Sequence, residues 1–540
     1  AELKGTNGSI GVEKDAAGRE LPDGAEEFRE PKPGNDLILT LDQNIQYFAE
    51  RELDKAVSRY NPALAVIMVM EVKTGNILAM ASRPTYDCNN WKKADSKVWN
   101  RNPAVWYNYE PGSTFKIITL AAALNEKTVK IEDNFFDPGY ITVADRQIHC
   151  WKYGGHGSQT FAEAVMNSCN PVFAQVGLNL GVEKYYQYLQ EFGMGQKTDS
   201  GLPGEASGIM IPQAKATELN LAVMAMGQSI AVTPIQLLRA VAAVANGGIM
   251  MQPRLVEKVV SPDGEVLQSF DPQEAGRVIS PETSRQAAAL LEKVVAEGTG
   301  RNAFVEGYRT AGKTGTAQVV GESGGYVSGK YVASFAGFAP ADAPRFAALI
   351  MIAEPQGGIY YGGQVAAPIF QALARDILHY LEIPADSALV KPPDPELWYE
   401  EVKTEVEVPE VLYTSLNEAI KALADLGLGY KTEGRGEMVY QQIPAAGTKV
   451  YSGSKVLLQL EPKEQSSQIT VPRLTGLTAD EAESLLVKLN LGVELSGQGL
   501  VVEQKPEAGA LADSGQIIQV KLANSKLEAA PIITPELIYD

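Results

Sequence analysis

Glu110–Lys116 reads EPGSTFK and is followed by the apolar run Ile117–Leu124, IITLAAAL. Pro and Gly end whatever precedes this run, and residues that are apolar nearly all round predict a helix buried in a domain interior. Ser113 then lies in the first turn, where unpaired N–H groups and the helix dipole favour developing negative charge. Lys116 is three residues on, so its amine shares a helix face with the Ser113 hydroxyl.

The Ser113–Lys116 pair is a candidate nucleophile and base. An amine in an apolar helix is desolvated, which lowers its pKa and allows it to accept a proton. The S-x-x-K pattern by itself is weak, because Ser452–Lys455 matches it as well. A serine in a helical turn and a lysine snorkelling from a core helix would explain the stretch equally well. The rest of the chain decides between these interpretations.

Size and composition describe a multidomain globular protein. The chain has 540 residues, of which 45% are hydrophobic and 21% charged, which predicts several domains with a large core. The net charge of -19 argues against a nucleic-acid partner. No run approaches eighteen consecutive apolar residues, so the sequence contains no membrane span. The chain opens at Ala1 without Met, which suggests that it is trimmed.

Cysteine and histidine are scarce. Cys88, Cys150 and Cys169 allow one disulfide with one thiol left over. There are three histidines, with no H-E-x-x-H pattern and no paired C-x-x-C. We therefore expect no metal centre and no cofactor.

The order of predicted elements indicates an α+β domain at residues 37–384. Strand-like runs at 63–71 and 76–81 lie before a helical middle, and three more follow at about 308–320, 331–339 and 345–354. Because strands flank the helices at both ends of the segment, we expect one sheet to join those ends. Residues 253–280 alternate and turn like a β-meander.

An internal repeat follows a stiff Pro-rich linker at residues 385–404. Val408–Val411, VPEV, matches Val471–Leu474, VPRL, and each is followed by a helical pattern at 417–426 or 480–489. The repeat predicts two small βαβββ modules, at 405–462 and 467–523, followed by a tail at 524–540. The modules carry no catalytic cluster, so we expect them to bind or to act as spacers.

Three short motifs occur in one order along the α+β segment. Ser113-x-x-Lys116 is followed by Ser168-Cys169-Asn170 and then by Lys313-Thr314-Gly315-Thr316. Each motif is weak alone. Together they place a helix, a loop and a strand in the order that catalysis by a serine nucleophile needs.

Extended to Glu110–Lys116, Ser168–Pro171 and Gly312–Ala317, the three motifs resemble those of class B penicillin-binding proteins, and the two repeats resemble PASTA modules. The resemblance covers nearly the whole chain and implies a penicillin-binding domain in which an antiparallel sheet has helices on both sides. Residues 1–36 would be a truncated N-terminal pedestal, and the expected membrane helix would be missing. The implied location is the extracytoplasmic face of the cell membrane.

The resemblance also implies the role of each motif residue in a serine D,D-transpeptidase. Ser113 would attack the carbonyl of a D-Ala-D-Ala stem peptide, Lys116 would take its proton, and Ser168 would relay that proton to the leaving amine. Asn170 would hold the backbone of the donor peptide, and Lys313 would hold both Ser168 and the substrate carboxylate by charge. Thr314, Gly315 and Thr316 would be the strand beside the substrate. The N–H groups of Ser113 and Thr316 would form the oxyanion hole, Gly315 would let substrate approach, and the Thr316 hydroxyl would bind the carboxylate.

Two other functions stay open from the sequence. One is a hydrolase, either a D,D-carboxypeptidase or a β-lactamase, although Ala216 stands where class A β-lactamases carry their deacylating glutamate. The other is a protein that senses β-lactams or wall fragments without turnover. The transpeptidase reading implies peptidoglycan stem peptides as substrates, β-lactams as covalent inhibitors and a glycosyltransferase partner.

Cys150 and Cys169 form a candidate redox pair. Cys169 lies inside the second motif, and Cys150 lies nineteen residues upstream. A disulfide between them would hold the site inhibited until it is reduced; the alternative is two small buried side chains. The pair resembles the sporulation branch of class B.

Overall fold

The computed structural model describes residues 2–321, 324–389, 405–426, 428–434, 436–451, 454–460 and 469–523. The chain divides into two units, residues 1–393 and 394–540. The predicted linker from residue 390 onward and the predicted tail at 524–540 lie outside the described residues.

A five-stranded antiparallel sheet organises the first unit. Its strands, in spatial order, are Ala311–Val320, Tyr326–Ala339, Phe346–Ala353, Leu64–Glu71 and Ile77–Arg83. Strands from the two ends of the segment are neighbours in it, which confirms the prediction of an α+β domain with a joining sheet. Two of its inner strands, Phe346–Ala353 and Leu64–Glu71, read as nearly continuous apolar runs because both faces are covered.

Alternate residues of each strand supply two separate cores. Val66, Met68 and Met70 belong to one core, and Ala65, Ile67 and Val69 belong to the other. This alternation is the period-two geometry of a strand. The prediction of helices on both sides of the sheet is thus confirmed.

The smaller core packs the sheet against Gln43–Tyr60 and Ala367–Tyr380. The first of these helices begins where the sequence predicts, since the Asp42 carboxylate accepts hydrogen bonds from the N–H groups of Asn44 and Ile45. The short helix Gly362–Val365 immediately precedes the second.

The larger core covers the face that carries the motifs. Its helices are Pro103–Trp106, Lys116–Asn125, Phe161–Met166, Asn170–Leu180, Val182–Glu191, Glu218–Met224, Pro234–Ala245 and Pro281–Ala296. Shorter helical turns are Cys88–Lys93, Ser96–Trp99, Gly112–Phe115, Gln213–Lys215 and Arg301–Ala303.

The first unit also contains several two- and three-stranded sheets. The paired strands are Ser9–Val12 with Glu26–Arg29, Asn134–Asp137 with Gly157–Thr160, Tyr140–Val143 with Arg146–His149, Ile209–Met210 with Ile230–Ala231, and Ile249–Met251 with Glu274–Arg277. A further sheet has the order Val266–Ser269, Val256–Val260, Asp36–Leu39. The predicted meander at 253–280 is therefore wrong in its third strand, because that strand pairs back with Ile249–Met251.

The second unit holds the two repeat modules. The first contains Glu405–Glu407, helix Leu416–Asp425, Gly429–Glu433, Val439–Ile443, Lys449–Tyr451 and Lys455–Leu460. The second contains Ile469–Thr470, helix Ala479–Lys488, Gly492–Gly497, Leu500–Lys505, Leu511–Ala512 and Ile517–Ala523. Each module has four strands after its helix where the sequence predicts three, because a short strand pairs with the module's first strand.

A buried glutamine closes each module in the same way. Gln504 accepts a hydrogen bond from the Leu474 N–H at 2.7 Å and donates one to the Pro472 carbonyl at 2.9 Å. Gln442 makes the same pair of bonds in the first module, to Val411 and Pro409. The shared contact shows that the repeat is structural as well as sequential.

Candidate active site

The nucleophile turn is a 3-10 turn, Gly112–Phe115, that continues directly into the helix Lys116–Asn125. Ser113 is half-buried in this turn, whereas the sequence predicts it in the first turn of the α-helix itself. Among the described residues, no side chain hydrogen-bonds the Ser113 hydroxyl. Gly112 has φ +54°, and a Cβ there would lie 3.2 Å from the Thr316 carbonyl oxygen. The turn therefore packs directly against the third motif.

Lys116 connects the first motif to the second. Its side chain is 1% exposed, and its Nζ donates to the Ser168 carbonyl at 2.8 Å, to Asn170 Oδ1 at 2.7 Å and to Ser168 Oγ at 3.3 Å. Nζ also lies 5.0 Å from the centre of the Phe173 ring. Burial lowers the pKa of Lys116 to about 7. The amine is therefore able to exchange a proton near neutral pH.

The second motif is held between two helices. Helix Phe161–Met166 begins at a Thr160 capping box, and helix Asn170–Leu180 begins immediately after Cys169. Ser168, between them, has φ +53°, a conformation that is uncommon for a residue with a side chain. Strained backbone of this kind persists where the surroundings enforce it. Here both flanking helices and the bond to Lys116 do so.

Asn170 uses both ends of its amide. Its Oδ1 accepts from Lys116, and its Nδ2 donates to the His149 carbonyl at 3.3 Å. Trp151 Nε1 donates to the neighbouring Asn167 carbonyl at 2.8 Å. The segment around residues 149–151 thus supports the motif from outside.

Lys313 is 1% exposed on the strand Ala311–Val320, with its Nζ 3.3 Å from the Thr314 carbonyl oxygen. Burial and the nearby Lys116 charge lower its pKa well below the usual value. The two lysines of the predicted site are therefore close enough to repel each other when both are charged.

The two threonines of the third motif point to the other side of the strand. Thr316 Oγ1 accepts a hydrogen bond from the Gly362 N–H at 2.9 Å, and Thr314 Oγ1 donates to Thr299 Oγ1 at 3.4 Å. This is the side that strand alternation assigns to them. The carboxylate-binding role of Thr316 stays a prediction.

Gly315 is needed for packing between the third motif and the nucleophile turn. A Cβ at Gly315 would lie 2.4 Å from Ser334 Oγ and 2.9 Å from both the Pro111 carbonyl oxygen and Thr114 Cγ2. The close approach that this glycine permits is thus to protein atoms, whereas the sequence interpretation assigns it to the substrate.

Gly315→Ala should therefore displace the strand from the nucleophile turn. Forcing a methyl group into such a contact costs about 1–3 kcal/mol. We expect a lower thermal midpoint and a slower rate of penicillin acylation. Gly11→Ala is the matched control, because a Cβ there meets its nearest atom at 3.6 Å in an exposed hairpin. Equal stability of the two variants would contradict the packing role.

The candidate redox pair includes the central residue of the second motif, Cys169. Cys150 and Cys169 are free thiols in the structure, half-buried and buried respectively. A hydrogen bond from Cys169 lowers the pKa of Cys150 to about 6, and donating that bond raises the pKa of Cys169. The disulfide between them stays a prediction.

Three residues near the site are missing from the sequence interpretation. Asp137 and His156 contact the two cysteines. Glu110 accepts from the Ser229 N–H at 2.8 Å and from the Tyr326 hydroxyl at 3.0 Å, and burial raises the pKa of its carboxyl. Glu110 is within the opening stretch, but Asp137 and His156 carried no spacing signal.

Comparison with known proteins identifies the catalytic unit. A model of the penicillin-binding protein transpeptidase domain matches residues 65–375. This chain belongs to the penicillin-binding protein transpeptidase family. The PASTA domain model matches residues 406–462 and 469–524, which confirms the identity of the repeats. The protein is a serine-type transpeptidase.

Relatives of this penicillin-binding protein include a stage V sporulation protein and a peptidoglycan D,D-transpeptidase. Stage V sporulation protein D of Bacillus subtilis is 44% identical over 86% of this chain and 71% of the relative. The peptidoglycan D,D-transpeptidase FtsI of Escherichia coli is 32% identical over 71% of this chain and 63% of the relative.

Solved structures agree with this assignment. Penicillin-binding protein 3 from Mycobacterium tuberculosis, complexed with ampicillin, has a TM-score of 0.62 and 31% identity over 68% of this chain and 82% of that one. Penicillin-binding protein 2X from Streptococcus thermophilus shares the fold, with a TM-score of 0.63 and 23% identity over 97% of this chain and 77% of that one. No helix among the described residues is long and apolar enough to cross a membrane.

Proposed function

We propose that Ser113 is the nucleophile of a D,D-transpeptidase that cross-links peptidoglycan stem peptides, with Lys116 as its base. One observation carries the assignment of the base. The Lys116 amine is buried, has a pKa lowered to about 7, and is hydrogen-bonded to both polar residues of the second motif. A base whose pKa lies near the working pH is the most effective in proton transfer.

The first half-reaction acylates Ser113. Its Oγ forms a bond to the penultimate D-Ala carbonyl carbon while its proton passes to Lys116. The bond to the terminal D-Ala nitrogen breaks, and Ser168, which lies 3.3 Å from Lys116 Nζ, returns the proton to that leaving amine. Backbone N–H groups of Ser113 and Thr316 stabilise the oxyanion. Asn170 and Lys313 hold the donor peptide and its carboxylate.

The second half-reaction transfers the acyl group to an acceptor amine. The amine gives its proton to the neutral base and attacks the ester, which frees the Ser113 hydroxyl. β-Lactams follow the first half only, because their leaving nitrogen stays tethered to the acyl group. The enzyme acts outside the cytoplasmic membrane, in synthesis of the septal wall or the spore cortex. It is held there by a membrane anchor and works with a glycosyltransferase partner.

Intact mass after exposure to penicillin, followed over hours, tests the class of reaction. We expect one adduct per chain that maps to the peptide containing Ser113 and persists. Its rapid loss would show that water resolves the acyl-enzyme, and the protein would then be a hydrolase. Absence of an adduct from the protein with reduced thiols would leave only a sensing or binding role.

A further inference from the structure

Four candidate metal ligands lie close together, and one of them, Cys169, belongs to the second motif. One ligand atom from each of Asp137, Cys150, His156 and Cys169 lies within 4.8 Å of all the others. Cys150 Sγ is 3.3 Å from His156 Nδ1, which is 2.9 Å from Asp137 Oδ2, and that oxygen is 3.2 Å from Cys169 Sγ. A tetrahedral zinc ion holds such ligand atoms about 3.3–3.8 Å apart. Because no two of the four ligand atoms are more than 4.8 Å apart, each pair would have to close by at most about 1.5 Å to form the coordination shell.

Three of the four side chains are buried, and Cys150 is half-buried. Asp137 and Cys169 are 0% exposed, and the His156 side chain is 5% exposed. Burying the Asp137 carboxylate together with two thiolates would be costly unless a positive charge compensated them. Two sulfurs, one imidazole and one carboxylate are a donor set that suits zinc, whereas magnesium and calcium prefer oxygen ligands alone.

The supporting contacts are those of an organised site. The second Asp137 oxygen accepts from the Gly139 N–H at 2.8 Å, and the Gly139 carbonyl accepts from the Cys150 N–H at 2.8 Å. The backbone N–H of His156 also donates to Asp137 Oδ2 at 3.0 Å. Partners of this kind orient metal ligands and hold them in place.

We propose that Asp137, Cys150, His156 and Cys169 bind one zinc ion that anchors the second motif. Binding would release to solvent whatever protons the two sulfurs and His156 Nδ1 still carry, and the neutral imidazole would then donate its Nδ1 lone pair. Cys169 stands between Ser168 and Asn170, so a bond from its sulfur to a metal would fix the loop that presents both. The four ligands are positioning residues, and they act on catalysis only through that loop.

This proposal departs from the expectation of no metal centre, and the reason is tertiary. Asp137 ends the strand Asn134–Asp137, and Cys150 follows the strand Arg146–His149. His156 directly precedes the strand Gly157–Thr160, and Cys169 directly precedes the helix Asn170–Leu180. None of the spacings between them matches a metal motif. The proposal also competes with the predicted Cys150–Cys169 disulfide, since one pair of sulfurs cannot serve both.

Zinc and cobalt titration of the whole chain, kept reduced and anaerobic after chelator treatment, tests the site. We expect one equivalent of zinc and, with cobalt, the intense visible bands of a tetrahedral ion together with sulfur-to-cobalt charge transfer. Cys150→Ser and His156→Ala should each weaken zinc binding by at least tenfold. Cys88→Ser and His149→Ala are matched controls, because both side chains are exposed, and they should bind zinc as the parent chain does.

The unmodified chain alone can overturn the proposal. Less than one equivalent of zinc bound by fully reduced protein, or a weak octahedral cobalt spectrum, would do so even if a variant failed to fold. Binding that is equally tight in the two ligand variants would do so as well. None of these readouts uses penicillin, so a failed metal site would leave the proposed transpeptidase intact.

Discussion

Ser113→Ala should abolish covalent capture of penicillin. In the proposed mechanism the Ser113 hydroxyl alone forms a bond to the substrate, and removing the catalytic serine from a serine protease costs on the order of a 10⁶-fold loss in rate. Intact mass should show no adduct after hours, at concentrations that label the parent chain completely. Because Ser113 is half-buried and no side chain in the described part of the chain hydrogen-bonds its hydroxyl, we expect the thermal midpoint to stay close to that of the parent.

The second S-x-x-K sequence supplies the control for this variant. Ser452 stands three residues before Lys455 in the first repeat module, so Ser452→Ala removes an equivalent serine outside the proposed site. It should be acylated at the parental rate. Capture of penicillin by Ser113→Ala would mean that another residue is the nucleophile, and the assignment of the whole site would fall with it.

Lys116→Met should slow acylation by about 10²–10⁴-fold, the usual contribution of a positioned general base. Methionine fills a similar apolar volume and accepts no proton, so the change isolates the base from the packing. Lys116→Arg should not restore the rate, because a guanidinium stays protonated. Lys127→Met, at an exposed position after the same helix, should leave acylation unchanged.

The pH dependence of acylation distinguishes the base from a merely structural lysine. Burial lowers the pKa of Lys116 to about 7, so the amine is mostly protonated below that pH and mostly neutral above it. The neutral form is the base, and the acylation rate of the parent should therefore rise with pH through about 7 and then level off. Lys116→Met should lose this rise. A parental rate that is flat from pH 6 to 8 would contradict Lys116 as the base.

The sequence was sufficient for the elements that rest on local pattern. The apolar run after Lys116 predicted a buried helix, and the flanking strand patterns predicted the joining sheet, because burial on both faces leaves continuous apolar runs. The three motifs in order predicted the family. The repeat predicted the second unit, although the extra short strand in each module was missed because two or three residues carry too little pattern.

Backbone detail within these elements was less predictable. The sequence placed Ser113 in the first turn of the α-helix, but the structure gives it a separate 3-10 turn. The need for Gly315 was visible in the motif, yet the atoms that crowd it belong to Ser334, Pro111 and Thr114, which are remote in sequence or on another element.

What the sequence determined by itself was therefore the class of enzyme and the order of its motifs, since these follow from residue type and local period. It also named the candidate residues for the chemistry, whose roles stay predictions. Only the tertiary structure decided how those residues meet. Lys116 reaches Ser168 across 52 residues, and Asp137 and His156 join two cysteines from different segments. Contacts of this kind depend on how loops are folded over a shared core, and no local pattern of residues encodes that distance.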